Sequence, residues 1–286
     1  MSMSLELRSS DIGALSVITG SILMGFLVVF VRNIPLHPIQ ISFFRMFFGF
    51  LFLSVPIILS GKKPVINNPR IMAAIIVINT VVITSYITAV QMIEAATAAL
   101  LLYMAPIYVL PAAYLRGARI DKGTWIALPI GLLGLYLMLT PYGELSVGLV
   151  AGMISGLCLA AIFFLMKTAR RSMSSLHITF VYLGFASLLI SPSLIVFPLH
   201  SVDILWLLGL GLIPTAIAFT LFYYGLKYCN VEQAPIFGLI EPLAAAIIGY
   251  MIFGELLEGE QIVGGVLILV SVSLAWKKVE KVKIKA

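Results

Sequence analysis

Long apolar runs, each about one bilayer in length and separated by short polar stretches, dominate the chain. A helix rises about 1.5 Å per residue, so about 20 mostly apolar residues cross a bilayer. Ten segments meet that length. In the first half they are 12–31, 38–60, 71–91, 95–115 and 123–140; in the second, 147–166, 177–197, 204–226, 233–253 and 261–276. Polar breaks such as Gly61-Lys62-Lys63-Pro64 and Pro141-Tyr142-Gly143-Glu144 divide them. A soluble helical protein would need polar helix faces that these segments lack. The pattern predicts an all-α integral membrane protein. The first run ends in Arg32-Asn33-Ile34-Pro35 rather than a small-residue cleavage site, so it reads as a retained helix.

Composition agrees with this pattern. Of 286 residues, 61% are apolar and only 10% charged, against about 45–50% and about 25% in soluble domains. Too few polar residues remain to cover so much apolar surface in water. Charge placement then tests the count. If the N-terminus is cytoplasmic, 16 of the 18 Lys and Arg residues fall in inner segments. Arg32 alone lies in an outer loop, and Arg45 lies within a span. That alternation is the positive-inside rule with both ends in the cytoplasm, as for a multi-pass protein of the plasma or inner membrane. The net charge of +6 comes largely from a tail, 277–286, that holds five lysines. Beside an apolar helix such a tail reads as a topology signal or a contact with anionic lipid, not as a nucleic-acid site.

The chain also repeats. Sliding it against itself by 136 residues matches Gly20 with Gly156, Pro56 with Pro192, Thr84 with Thr220, Pro106 with Pro242 and Tyr114 with Tyr250. Leucine matches mean little in apolar sequence, whereas Gly and Pro mark special backbone sites. This divides the chain into repeats at 12–140 and 147–276. Five helices is an odd number, so the second copy must insert upside down. Inverted halves let one chain open to either side by exchanging their conformations, the arrangement of many carriers. A duplicated membrane protein without transport is the alternative.

Candidate binding residues follow from what is costly in lipid. Proline inside a helix leaves a carbonyl without its donor. Pro106, Pro242 and Pro214 free the carbonyls of Leu102, Gly238 and Leu210, and the reading places these beside a central cavity. A kink that only shapes packing would also account for each. Two ionisable residues lie within spans, Arg45 and Glu241, and each needs a partner or a purpose. Their backbones differ in depth by roughly 7 Å, which permits an ion pair without requiring one. Burial and a nearby cation act on a carboxyl in opposite directions. One left near balance could exchange a proton for substrate, which makes Glu241 the coupling candidate. Asn79, Tyr86, Tyr103 and Tyr224 are the deeper polar residues and the further cavity candidates.

Gly148, Gly152 and Gly156 recur at four-residue spacing, with Ser16 and Gly20 in the matching places of the first span. Such spacing lets backbones approach closely, for packing within the chain or for a homodimer. Cys158 and Cys229 read as buried free thiols. The histidines, His37, His177 and His200, fall at span ends, and no hydrolase constellation, phosphate-binding loop or zinc spacing occurs. The sequence therefore predicts neither an enzyme nor a cofactor.

Several stretches resemble the drug/metabolite transporter superfamily, in its branch with two EamA-like domains. Phe43-Phe44-Arg45-Met46-Phe47 is similar to the family's second helix, and the small-residue run 95–100 with Pro106 to its fourth. Leu239-Ile240-Glu241-Pro242-Leu243, then Gly254-Glu255 and Gly264-Gly265, resemble the end of the second domain. Ala118-Arg119 stands where the first domain has a Gly-Glu pair. The resemblance, from about residue 12 to 276, implies ten helices as two inverted domains around a central cavity. It also implies proton-coupled export of small metabolites such as amino acids. Efflux of lipophilic cations is the second transporter reading. A membrane subunit that flips or presents a lipid-linked precursor is the reading from a different class.

Overall fold

The computed structural model describes residues 9–61, 66–92, 95–139, 146–198, 201–254 and 258–276, and these are helical with no strand among them. Nine helical segments are long and apolar enough to span a bilayer: α1 (Asp11–Arg32), α2 (Pro38–Ser60), α3 (Pro69–Ala89), α4 (Ala98–Leu115), α6 (Val147–Ala169), α7 (Ser175–Val196), α8 (Ile204–Gly225), α9 (Ala234–Phe253) and α10 (Gly259–Trp276). A shorter apolar helix, α5 (Lys122–Leu137), completes the ten that the sequence predicts. This is a multi-pass membrane protein. The lysine tail and His200 lie outside the described residues.

The helices start where the sequence supplies caps. His37 forms a capping box, its Nδ1 accepting from the Ile39 amide while Gln40 Oε1 accepts from the His37 amide, with Pro38 in the first turn. Ser146, Ser174 and Asp203 cap α6, α7 and α8 through their side-chain oxygens. Gly61 and Gly254 end α2 and α9 in the left-handed conformation that glycine adopts freely. Once formed, the helices bury only part of themselves. In the nine long spans 33–50% of the most apolar window is inside the protein. The remainder presents side chains such as Leu59, Leu188, Ile195 and Met251 outward. In water that surface would drive aggregation; hydrocarbon covers it without cost.

Packing mixes the two halves. α1 lies on α8 and α9, whereas α6 lies on α3 and α4; α2 pairs with α7, and α5 with α10. Under the 136-residue shift α1 becomes α6, α3 becomes α8 and α4 becomes α9, so the two three-helix groups are images of each other. Small residues make this possible. A methyl group added at Gly156 would sit 2.2 Å from the Leu101 carbonyl oxygen, and one at Gly152 would meet the Leu101 side chain. In the first half, Gly20 lies close on Ala218 and Phe222 of α8, and Gly25 on Ala244 of α9, each with 2.8 Å to the nearest atom from an added methyl. The glycine spacing of α6 thus serves close packing inside the chain.

Five spans are interrupted. α1 breaks at Phe26, α4 at Met104, α7 at Ser191-Pro192 and α9 at Leu239, and α8 contains a π-helical stretch, Leu212–Ile217. The α4 and α9 breaks lie just before Pro106 and Pro242, each at the point where proline removes a rung of the helical ladder. The breaks in α1, α4 and α9 occur partway along their spans, beside the central cavity, and the stretch in α8 lies one turn behind its wall.

A cavity between the two three-helix groups

A cavity of about 90 Å³ lies between the α1/α8/α9 and α3/α4/α6 groups, with Arg45 of α2 at its wall. A water needs about 10–15 Å³ on this scale, so there is room for several waters or a small organic molecule. Of the residues singled out in the sequence, Arg45, Asn79, Tyr86, Tyr103, Pro106 and Glu241 line it. The carbonyl-bearing residues Leu102 and Gly238 line it as well.

Arg45 is held rather than free. Its Nε donates to Thr215 Oγ1 at 3.1 Å, one terminal nitrogen donates to the Pro214 carbonyl at 3.3 Å, and the guanidinium lies 5.1 Å from the Phe219 ring centre. Thr215 Oγ1 in turn donates to the Leu210 carbonyl at 2.7 Å. The sequence reading expected Pro214 to leave the Leu210 carbonyl beside the cavity. Instead Thr215 takes up that carbonyl, and Pro214 and Leu210 sit behind the wall. The π-helical stretch is what turns the Thr215 side chain and the Pro214 carbonyl toward α2. An arginine that costs several kcal/mol to bury alone is thereby given two acceptors and an aromatic face (about 0.5–2 kcal/mol from the latter).

Glu241 begins the second segment of α9, and the hydroxyl of Tyr103 hydrogen-bonds to it from α4. The two charges within the spans therefore have separate partners while each remains within the other's field. On the third side, Tyr223 and Asn79 line the wall, and Tyr182 of α7 stands edge-on to the Tyr223 ring at 6.1 Å. Asn79 is only 4% exposed, and its amide nitrogen has no hydrogen-bond partner, so one polar group at the cavity wall stands ready for a ligand atom. Phe163, Phe219 and Phe222 add an aromatic face to a wall that is otherwise largely aliphatic.

Besides Pro214, two sequence candidates are placed elsewhere. Tyr224 turns away from the cavity, is 38% exposed, and packs 5.3 Å from the Tyr228 ring. Pro242 is buried behind Glu241 and does not reach the cavity. The neighbouring Tyr223 takes the position given to Tyr224. Four-residue spacing from Thr215 through Phe219 to Tyr223 could have shown this, because those three share one helix face. Tyr182 carried no such signal, since α7 is apolar around it.

Both repeats match the EamA-like transporter family, over residues 11–140 and 146–276. A protein of Archaeoglobus fulgidus described as an uncharacterized transporter is 45% identical over 271 residues, covering 95% of this chain and 98% of its own. The putative permease-like protein YdzE of Bacillus subtilis is 36% identical over 72 residues, which is 25% of this chain and 92% of that one. A solved crystal structure shares the fold at a TM-score of 0.82 and 19% identity, covering 94% of this chain and 96% of the other. Ten apolar helices, a cavity shared by both repeats and matches across nearly the whole length converge on one assignment. The chain belongs to the EamA-like transporter family, whose members are transporters and not enzymes.

Proposed function

We propose that this transporter is a secondary carrier of small polar or zwitterionic metabolites, amino acids or compounds like them, working by alternating access and coupled to protons. On this reading the two repeats, 12–140 and 147–276, are inverted in the plasma membrane with both termini cytoplasmic, and the usual direction is export. The observation that carries it is the placing of a buried base, Arg45, and a partly buried acid, Glu241, on separate partners around one cavity. A zwitterion would offer its carboxylate to Arg45 and its ammonium to Glu241. Its remaining acceptor would meet the unpaired Asn79 amide. Protonation of Glu241 would remove the ammonium's partner, which gives a proton a direct means of competing with substrate at the same carboxyl.

Proteoliposomes test this. Purified protein should accumulate an amino acid from a labelled mixture when a proton gradient is imposed. Glu241→Gln should insert normally and lose the response to the gradient. Accumulation that Glu241→Gln leaves fully gradient-driven would remove Glu241 from coupling. The aromatic wall of Phe163, Phe219 and Phe222 supports a second reading, carriage of lipophilic cations past Glu241. Tetraphenylphosphonium in the same vesicles separates the two, since it has an ammonium-like charge and no carboxylate for Arg45.

A further inference from the structure

At the end of the cavity bounded by Leu226 and Pro235, two cations of α6 reach across to α8. Lys167 lies one turn beyond Phe163 of the cavity wall. Its Nζ donates to the carbonyls of Leu226 at 2.9 Å and Lys227 at 3.4 Å, and also to that of Cys229. Arg170 Nε donates to the Tyr223 carbonyl at 2.9 Å, and its guanidinium donates to the Met173 carbonyl of its own turn. These acceptors are the last carbonyls of α8 and the start of the following loop. The Lys227 amide bonds to Tyr224 instead of Tyr223, so the Tyr223 carbonyl lacks its usual helical donor. A helix C-terminus is where a cation is most favourable, and here the contacts are charge-assisted and largely buried, with Arg170 only 5% exposed. From sequence both residues read as loop charges facing water.

These contacts join helices of different groups, because α6 packs with α3 and α4 whereas α8 packs with α1. At the opposite end Arg32 of α1 lies 4.8 Å from the Phe253 ring of α9. Under the 136-residue shift Lys167 and Arg170 correspond to Val31 and Ile34, which carry no charge.

We propose that Lys167 and Arg170 form a latch that holds the Leu226–Pro235 end of the cavity shut and must release before that end opens. The inference rests on the alternating-access reading. Because these contacts cross between the two groups, they favour the state closed at the latch. Each cycle must free two cations from carbonyl acceptors at this end.

Cys229 is a reporter built into the chain, fully buried beneath the latch. With Cys158→Ala it is the remaining thiol of the two in the sequence. In full-length protein in detergent micelles, N-ethylmaleimide should label Cys229 at least tenfold faster once Lys167→Met and Arg170→Gln are combined. Lys167→Arg with Arg170→Lys, which keeps both charges, should stay within about twofold of the parent. Val31→Cys, in a background lacking both native thiols, reports the other end and should label several-fold more slowly in the double neutral variant. An unchanged Cys229 rate overturns the latch. So do rates that rise at both ends, since the cations would then only support the fold. Faster Cys229 with unchanged Val31→Cys keeps the latch and refutes the alternation on which the proposed function depends.

Discussion

Replacing Thr215 by valine removes one oxygen and almost nothing else, yet that oxygen bridges two buried groups. Its hydroxyl donates to the Leu210 carbonyl at 2.7 Å and accepts from Arg45 Nε at 3.1 Å. Thr215 is fully buried and Arg45 is 5% exposed, so water cannot replace either bond. Pro214 has already removed the backbone donor that would otherwise serve Leu210. Each group left unpaired costs about 1–3 kcal/mol in soluble proteins. Within membranes, hydrogen bonds measured by double-mutant cycles average about 0.6 and reach about 1.7 kcal/mol, because the unfolded helix finds partners too. Two losses, one at a charged group, therefore sum to about 2 kcal/mol. At about 2–4 °C per kcal/mol for a chain of this size class, Thr215→Val should melt about 4–8 °C below the parent. Thr215→Ser keeps the hydroxyl and should stay within about 2 °C. Thermal unfolding in detergent, followed by tryptophan fluorescence, reads both. Arg45→Met removes the second dependent group, so adding Thr215→Val to it should cost less than in the parent by about 1 kcal/mol. Strict additivity, or a Thr215→Val protein that melts with the parent, would refute the bridge.

Gly156→Ala should destabilise far more than Gly238→Ala, because its methyl meets the Leu101 carbonyl at 2.2 Å whereas that at Gly238 meets nothing within 4 Å; relative yield of folded protein and melting temperature test this. Glu232, in the loop between α8 and α9, has its carboxyl pushed above its ordinary value by burial, against its own backbone and Lys167, which pull it down. The folded state then holds more protons than the unfolded one just above pH 4.5, so stability falls as pH rises through that window. Glu232→Gln should flatten that part of the melting-temperature profile, and an unchanged slope would refute the assignment. Cysteines placed at residues 62 and 171 should label from the same membrane face, since the proposed inverted repeats put both loops inside; labelling from opposite faces would overturn the topology.

Sequence reading succeeded where a residue type has one physical meaning in lipid. Arg45 and Glu241 announced themselves because a charge in a bilayer needs a reason, and both reached the cavity wall. Pro106 and Pro242 marked the breaks of α4 and α9 because proline cannot complete the helical ladder. Where meaning depends on rotation about a helix axis, the reading failed. Tyr223 and Tyr224 are adjacent and chemically identical, yet about 100° of helical turn separates cavity from surface. Lys167 and Arg170 satisfied the positive-inside pattern, and that explanation hid their contacts with the end of α8.

Helix number, the repeat and the presence of buried charge were settled by local composition, since the bilayer fixes how long and how apolar a span must be. Which helices meet was not. That α1 leaves its own repeat to pack on α8 and α9, that Thr215 takes over the Leu210 carbonyl, and that two cations cross to another helix group all depend on backbone approach at glycines and on the π-helical stretch in α8. Such contacts join residues up to 170 positions apart. They exist only once the helices have docked, because apolar helix surfaces are alike in sequence and differ in shape.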